Sequence, residues 1–286
     1  MLPMLSNGCR RGRVVRLPGL LYGALAFLAL QLGGCSTLPR NALPAELSTQ
    51  AAIPGMPIIR ANGGERSPYM MADLSRSFSQ ESAEDFPVDA DGMIHYPHIA
   101  LSGGGQNGAF GAGLMNGWSK SGKRPVFKIV TGVSTGALMA PFVFLGPEYD
   151  DELELFYTST SSRSIFTRLR ILPQLISGES LLDTLPLQTL IAELIDDEFL
   201  AEVAREHNSG RRLYIGTVDL DSQNLVVWNM GLIASSARPD ALALFRKVML
   251  ASSSIPVAFP PVLFEVEAAG RRYDELHVDG AIGSTV

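Results

Sequence analysis

From His98 onward the hydrophobic positions fall into short blocks whose period changes repeatedly. Ile99-Ala100-Leu101 is a brief apolar run ending at Ser102-Gly103-Gly104-Gly105, and a helical stretch of small residues follows to Trp118. Val126 to Val133 is rich in strand-forming residues and stops at Ser134, after which Thr135 to Leu145 reads as helix. Strand, tight turn and helix, twice over, predict a βαβα unit and hence a parallel sheet with helices on its faces. Pro141 is expected to kink or end the second helix, because it lacks the N–H that helical bonding needs. Residues 150–208 read as mostly helical, with breaks around Pro173 and Gly178. In that stretch Leu187, Leu190, Ile191, Leu194 and Ile195 form an amphipathic stripe whose simplest role is core packing. Leu213–Val218 and Leu225–Trp228 flank Asp221-Ser222-Gln223-Asn224 and predict a hairpin. A helix near Pro239–Ala251 and a Pro-rich loop from Ile255 to Pro261 then lead to a final strand pair ending at His277-Val278-Asp279-Gly280. No internal repeat is visible.

Before His98 the texture differs. Residues 36–97 show no sustained period and carry prolines at 39, 44, 54, 57, 68, 87 and 97, which predicts a tether, although residues 53–60 hold enough apolar content to lie along a surface. Residues 1–35 have three parts: Arg10, Arg11, Arg13 and Arg16 with no acid, an apolar run from Leu17 to Leu32, and Leu32-Gly33-Gly34-Cys35. This is the layout of an export signal, and its apolar run is shorter than the ~20 residues of a spanning helix. The closing tetrapeptide resembles the lipobox of bacterial lipoproteins, which implies cleavage before Cys35 and acylation of its thiol. Ser36 in place of Asp then implies a cell-envelope protein anchored by lipid at the outer membrane, facing the periplasm. The expected layout is a signal peptide over 1–34, a lipid-anchored tether over 35–97 and a folded domain over 98–286.

Composition narrows the classes. With 46% hydrophobic and 18% charged residues in 286, the chain is neither disordered nor collagen-like. A formal net charge of −6 with no long Lys/Arg run argues against nucleic acid as a partner. Cleavage removes four arginines and no acid, taking the net charge to −10. Only Cys9 and Cys35 are present, so neither a disulfide scaffold nor a cysteine-rich zinc site fits.

The candidate chemistry sits in three places. Gly132-Val133-Ser134-Thr135-Gly136 is a Gly-x-Ser-x-Gly pentapeptide between a predicted strand and a predicted helix, the context in which the serine hydroxyl is projected from a sharp turn over a helix N-terminus. Gly103, Gly105 and Gly108 fit Gly-x-Gly-x-x-Gly, yet a dinucleotide site wants an acid about 20 residues on. From Gly92 to Pro147 there is no Asp or Glu, which leaves only Arg124 for a phosphorylated ribose; a Walker loop fails because no Lys-Ser/Thr follows. Consecutive glycine amides converging on an oxyanion remain the better reading. The third place is Asp279-Gly280, at the end of the last predicted strand.

Gly-Gly-Gly-x-x-Gly, Gly-x-Ser-x-Gly and a late Asp-Gly, with Ala251-Ser252-Ser253-Ser254-Ile255-Pro256 and Phe259-Pro260-Pro261-Val262 before the aspartate, resemble the patatin-like phospholipase family over His98 to Val286. The resemblance implies a three-layer α/β fold with a central, mostly parallel sheet flanked by helices. It implies a lipid acyl hydrolase with Ser134 as nucleophile, Asp279 as its base and the amides of Gly103, Gly104 and Gly105 as oxyanion hole. Its substrates would be membrane lipids or other acyl esters, with no cofactor and no metal. Gln106 and Asn107 stand where many members carry a loop cation, and Ala281 replaces the second glycine after the aspartate. Members continue further past that aspartate than the seven residues here, so a C-terminally truncated form is expected. Two rivals stand beside this reading: an α/β-hydrolase triad of Ser134, Asp219 or Asp221, and His277; and a non-catalytic lipid-binding lipoprotein. His95, His98 and His207 are expected in solvated tether or loop positions.

Overall fold

The computed structural model describes residues 40–158 and 184–283. The signal, Cys35, Pro173 and Gly178 lie outside the described residues. Asn41–Val286 forms one unit. Its strands are β1 (Arg60–Asn62), β2 (His98–Leu101), β3 (Ile129–Gly132), β4 (Arg212–Asp219), β5 (Leu225–Asn229), β6 (Val262–Ala268) and β7 (Arg271–Asp279). The helices that matter below are α1 (Pro68–Gln80), α2 (Gly108–Lys120), α3 (Thr135–Leu145), α4 (Asp150–Thr158), α5 (Leu185–Leu194), α6 (Asp197–Asn208), α7 (Met230–Ala234) and α8 (Ala241–Ser252).

The predicted βαβα unit is present: β2 pairs parallel with β3, and β3 parallel with β4. The expectation of a mostly parallel sheet needs correction. β1–β5, β4–β5, β4–β7 and β6–β7 are all antiparallel, so the sheet is mixed around a parallel centre. Connection length explains two of the four: the short turns from β4 to β5 and from β6 to β7 permit only antiparallel neighbours. α3 does not end at Pro141. All of its residues are buried, and packing against β2, β3 and β4 sustains a helix that propensity alone would interrupt. Leu187, Leu190, Ile191 and Ile195 are buried, as their stripe predicts.

The tether reading is also corrected. β1 adds to the edge of β5, with Arg60 opposite Trp228, and α1 begins at an N-cap where the Ser67 hydroxyl accepts from the Met70 amide. α1 escapes a periodicity reading because its buried positions are Asp73 and Ser77, while Tyr69, Met71 and Phe78 stay exposed. Ion pairing docks it: Arg212 Nε donates to Asp73 Oδ2 at 2.6 Å, and Lys128 Nζ donates to Glu81 Oε2 at 2.5 Å and to the Ser77 carbonyl at 3.0 Å. Phe78, Phe86 and Tyr96 surround the Lys128 ammonium within cation–π range.

One topological detail positions the site. β5 covers one edge of β4 from Tyr214 to Val218, so β3 and β7 share the other edge. β3 runs along it as far as Gly132 opposite Ile215, and β7 comes the other way to end with Asp279 opposite Thr217. The two strands therefore approach each other head-on, with Gly216 alone at the seam.

Candidate active site

Ser134 is the second residue after β3, between Val133 and the start of α3. It holds φ 55° and ψ −128°, a left-handed conformation that costs a non-glycine residue roughly 1–3 kcal/mol. The flanking glycines make this turn sterically possible: a Cβ on Gly136 would lie 2.0 Å from the Leu101 carbonyl oxygen, and one on Gly132 would lie 2.5 Å from that of Gly136. The elbow is thus wedged against the end of β2, which places Ser134 at the N-terminus of α3. Thr135 locks the same turn, since Tyr157 donates to its carbonyl and its hydroxyl bonds the Tyr157 oxygen, both at 2.8 Å.

Asp279 arrives from the opposite direction. Ser134 Oγ donates to Asp279 Oδ2 at 2.6 Å, and the Ala281 amide donates to Oδ1 at 2.8 Å. Both residues are buried, at 5% and 3% exposure. Burial pushes the Asp279 carboxyl above its ordinary value, against the two hydrogen bonds that favour its ionised form. The serine run at the end of α8 holds both partners. Ser252 Oγ donates to the Gly216 carbonyl at 2.6 Å and accepts from the Ser134 amide at 3.0 Å, Ser253 Oγ shares its proton between the Met249 carbonyl at 3.0 Å and the Ser134 carbonyl at 3.2 Å, and the Ser254 carbonyl accepts from the Asp279 amide at 3.0 Å. The glycine loop lies alongside: a Cβ on Gly103 would sit 3.6 Å from Ser134 Oγ and 2.9 Å from the Ala281 Cβ. Gly104 and Gly105 follow it and turn into α2, Gly105 at φ 53°.

The Patatin-like phospholipase family model matches residues 99–286. The chain belongs to the patatin-like phospholipase family. Among solved structures it is similar to VipD from Legionella pneumophila, at 14% identity over 71% of this chain and 50% of that one, with a TM-score of 0.39. It is also similar to ExoU in its complex with SpcU from Pseudomonas aeruginosa, at 20% identity over 58% of this chain and 39% of that one, with a TM-score of 0.29. The chain thus matches half or less of the length of these structures. The comparison with curated proteins finds no match.

Within this patatin-like domain the triad rival loses its histidine. Trp228 Nε1 can only donate, and does so to Thr217 Oγ1 at 2.8 Å; the threonine proton is then left for His277 Nδ1 at 2.8 Å, and His277 Nε2 donates to Glu275 Oε2 at 3.0 Å. Both ring nitrogens are spent, and burial lowers the imidazole's pKa against the Glu275 hydrogen bond that raises it. Asp219 is likewise committed to its own turn, accepting from the Asp221 and Ser222 amides and the Ser222 hydroxyl. His207, expected in solvent, is buried in α6, and its pKa is lowered to about 4 by desolvation. His95 is exposed and bonds Asp89. Arg124, the residual candidate for a phosphate, is bound to Asp150, Ser119 and the Val143 carbonyl. Among the described residues no group of three or more His, Cys, Asp or Glu is arranged to hold a metal, and no helix is long and apolar enough to cross a membrane. Sequence reasoning marked Ser252 to Ser254 only as part of a resemblance; their signal was three hydroxyls at a helix end, where side chains reach neighbouring backbone.

Proposed function

We propose that this domain hydrolyses acyl esters of lipids through a Ser–Asp dyad. The observation that carries the reading is the 2.6 Å contact between Ser134 Oγ and Asp279 Oδ2, in a position no histidine shares. Ser134 Oγ attacks the ester carbonyl carbon while its proton passes to Asp279. The resulting oxyanion rests on the amides of Gly103, Gly104 and Gly105, each such donor being worth ~3–4 kcal/mol in a dry site. Collapse breaks the ester C–O bond, and Asp279 returns the proton to the leaving alcohol. Water then attacks the acyl-serine with Asp279 again taking the proton, which releases the carboxylic acid and the free serine. An aspartate with an ordinary pKa near 3.9 is a weak base for a hydroxyl, and the burial that raises Asp279 reduces that mismatch.

The test is hydrolysis of a medium-chain acyl ester and of a phospholipid by purified protein. Ser134→Ala and Asp279→Asn should each lower kcat by about 10⁴-fold without unfolding the chain. A folded wild-type protein that binds lipid vesicles but turns over neither substrate would sink the proposal and leave the non-catalytic reading.

The localisation proposal is separate: acylation of Cys35 anchors the protein at the outer membrane, facing the periplasm. Leu32-Gly33-Gly34-Cys35 supports it. Because Asn41 already belongs to the folded unit, only five residues separate it from Cys35.

A further inference from the structure

The seam in the sheet has an occupant. β3 leaves β4 after Gly132–Ile215 and β7 joins it at Asp279–Thr217, so no strand residue faces Gly216 across the gap. The Gly216 carbonyl points into that gap, because a Cβ on Gly280 would lie only 2.2 Å from its oxygen. A single hydroxyl fills the place of a peptide unit: Ser252 Oγ donates to the Gly216 carbonyl at 2.6 Å and accepts from the Ser134 amide at 3.0 Å, and Ser252 is fully buried.

Resting on the dyad reading, we propose that Ser252 is a positioning residue that sets the spacing between Ser134 and Asp279 by acting as a side-chain rung across the β3–β7 seam. The geometry leaves this function to the hydroxyl for three reasons. Ser134 is in a strained left-handed conformation, so its amide needs a fixed acceptor to hold the elbow's orientation. Asp279 belongs to the other strand, so the Ser134–Asp279 distance is set across the seam and not within one element. And Ser252 is the last residue of α8, whose next residues hold the Ser134 carbonyl and the Asp279 amide, so one helix end references both strands. The hydrogen bonds of Ser252 Oγ run to backbone atoms, the Ser134 amide and the Gly216 carbonyl. Its effect on chemistry runs through the length and direction of the 2.6 Å bond.

Labelling of Ser134 by a fluorophosphonate, followed against pH in the full-length protein, reads this directly. The phosphorus–oxygen bond forms at Ser134 Oγ, fluoride leaves, and Asp279 must be ionised to take the proton. In Ser252→Ala the labelling rate at neutral pH should fall about tenfold, the value of one lost hydrogen bond in the transition state. The acid limb should also move to higher pH, because the Ser134 hydrogen bond that favours ionised Asp279 is weakened. A loss of packing alone would lower the melting temperature and leave that limb in place. Ser252→Cys fills the site with a slightly larger thiol that donates weakly, so it should shift the limb in the same direction even where the alanine variant does not fold. A cysteine variant with wild-type labelling rate and limb overturns the inference. If instead wild-type protein is labelled no faster than Ser134→Ala, it is the dyad reading that fails.

Discussion

Glu275 and Asp279 stand four residues apart on β7, both almost fully buried, and burial alone pushes each carboxyl upward. Around Glu275, hydrogen bonds from His277 and the bidentate Arg60 guanidinium, at 2.5 and 2.9 Å, more than reverse that push and hold the carboxyl at about 2. Around Asp279 the donors are a hydroxyl and an amide, both neutral, and the carboxyl stays above its ordinary value. One region is a clamp, in which a charge is compensated and an N-terminal strand is pinned to the sheet. The other leaves its negative charge uncompensated, which is the condition for a base. Burial does not distinguish the two carboxylates; the charge state of their partners does, and it leaves Asp279 in the condition that the proposed dyad requires.

The clamp should break hardest. Arg60→Ala leaves Glu275 buried without its cation, which should cost about 3–5 kcal/mol in urea denaturation at neutral pH. Its pH signature follows from the depressed carboxyl. The folded value of about 2 lies below the unfolded 4.5, so the stabilisation is complete above about 4.5 and is lost as pH falls through about 2. The wild type should therefore lose about 3 kcal/mol over that window, and the variant much less. An Arg60→Ala protein as stable as wild type would show that the N-terminal segment is held by something other than this pair.

A smaller effect sharpens which region His277 belongs to. His277→Gln removes a ring hydrogen-bonded on both sides, to Thr217 and Glu275, and should cost about 1–3 kcal/mol of stability. Ester hydrolysis per folded molecule should stay within a few-fold of wild type. Loss of activity at unchanged stability would move His277 from clamp to site and revive the triad.

These regions were not equally legible in the sequence. The elbow, the glycine loop and Asp279 were readable because sharp turns and close backbone approach admit few residues, and Gly132 and Gly136 are needed wherever a helix is wedged against the end of a strand. The β4–β5 hairpin and the α5 stripe followed from period alone. Neither the clamp nor the helix that follows β1 was legible. α1 buries Asp73 and Ser77 and exposes Tyr69, Met71 and Phe78, the inverse of the pattern that periodicity detects, because distant ion pairs and not apolar area dock it. The three residues of β1 carry no period of their own. Ser252 was hidden for a related reason: its bonds run to Ser134 and Gly216, 118 and 36 residues away, and no local spacing encodes a gap between two strands.

The smallest expected effect is the one that separates the two carboxylates by sign. Asp279 has a raised folded pKa, so folding favours its protonated form; its contribution to stability is present below the unfolded value and is lost as pH rises through the folded one. Asp279→Asn removes a desolvated charge while keeping polar atoms opposite Ser134 Oγ and the Ala281 amide. The variant should be inactive yet more stable than wild type at neutral pH, by a few tenths to about 1 kcal/mol, the usual size of a stability–activity exchange. The gain should shrink as pH falls and Asp279 becomes neutral in the wild type; acid also closes the gap for Arg60→Ala, but from the opposite sign, since that variant is the less stable one at neutral pH. Urea denaturation of Asp279→Asn at neutral and acidic pH measures it. A variant less stable than wild type at neutral pH would mean that the ionised Asp279 is compensated after all, and the distinction between clamp and site along β7 would fall with it.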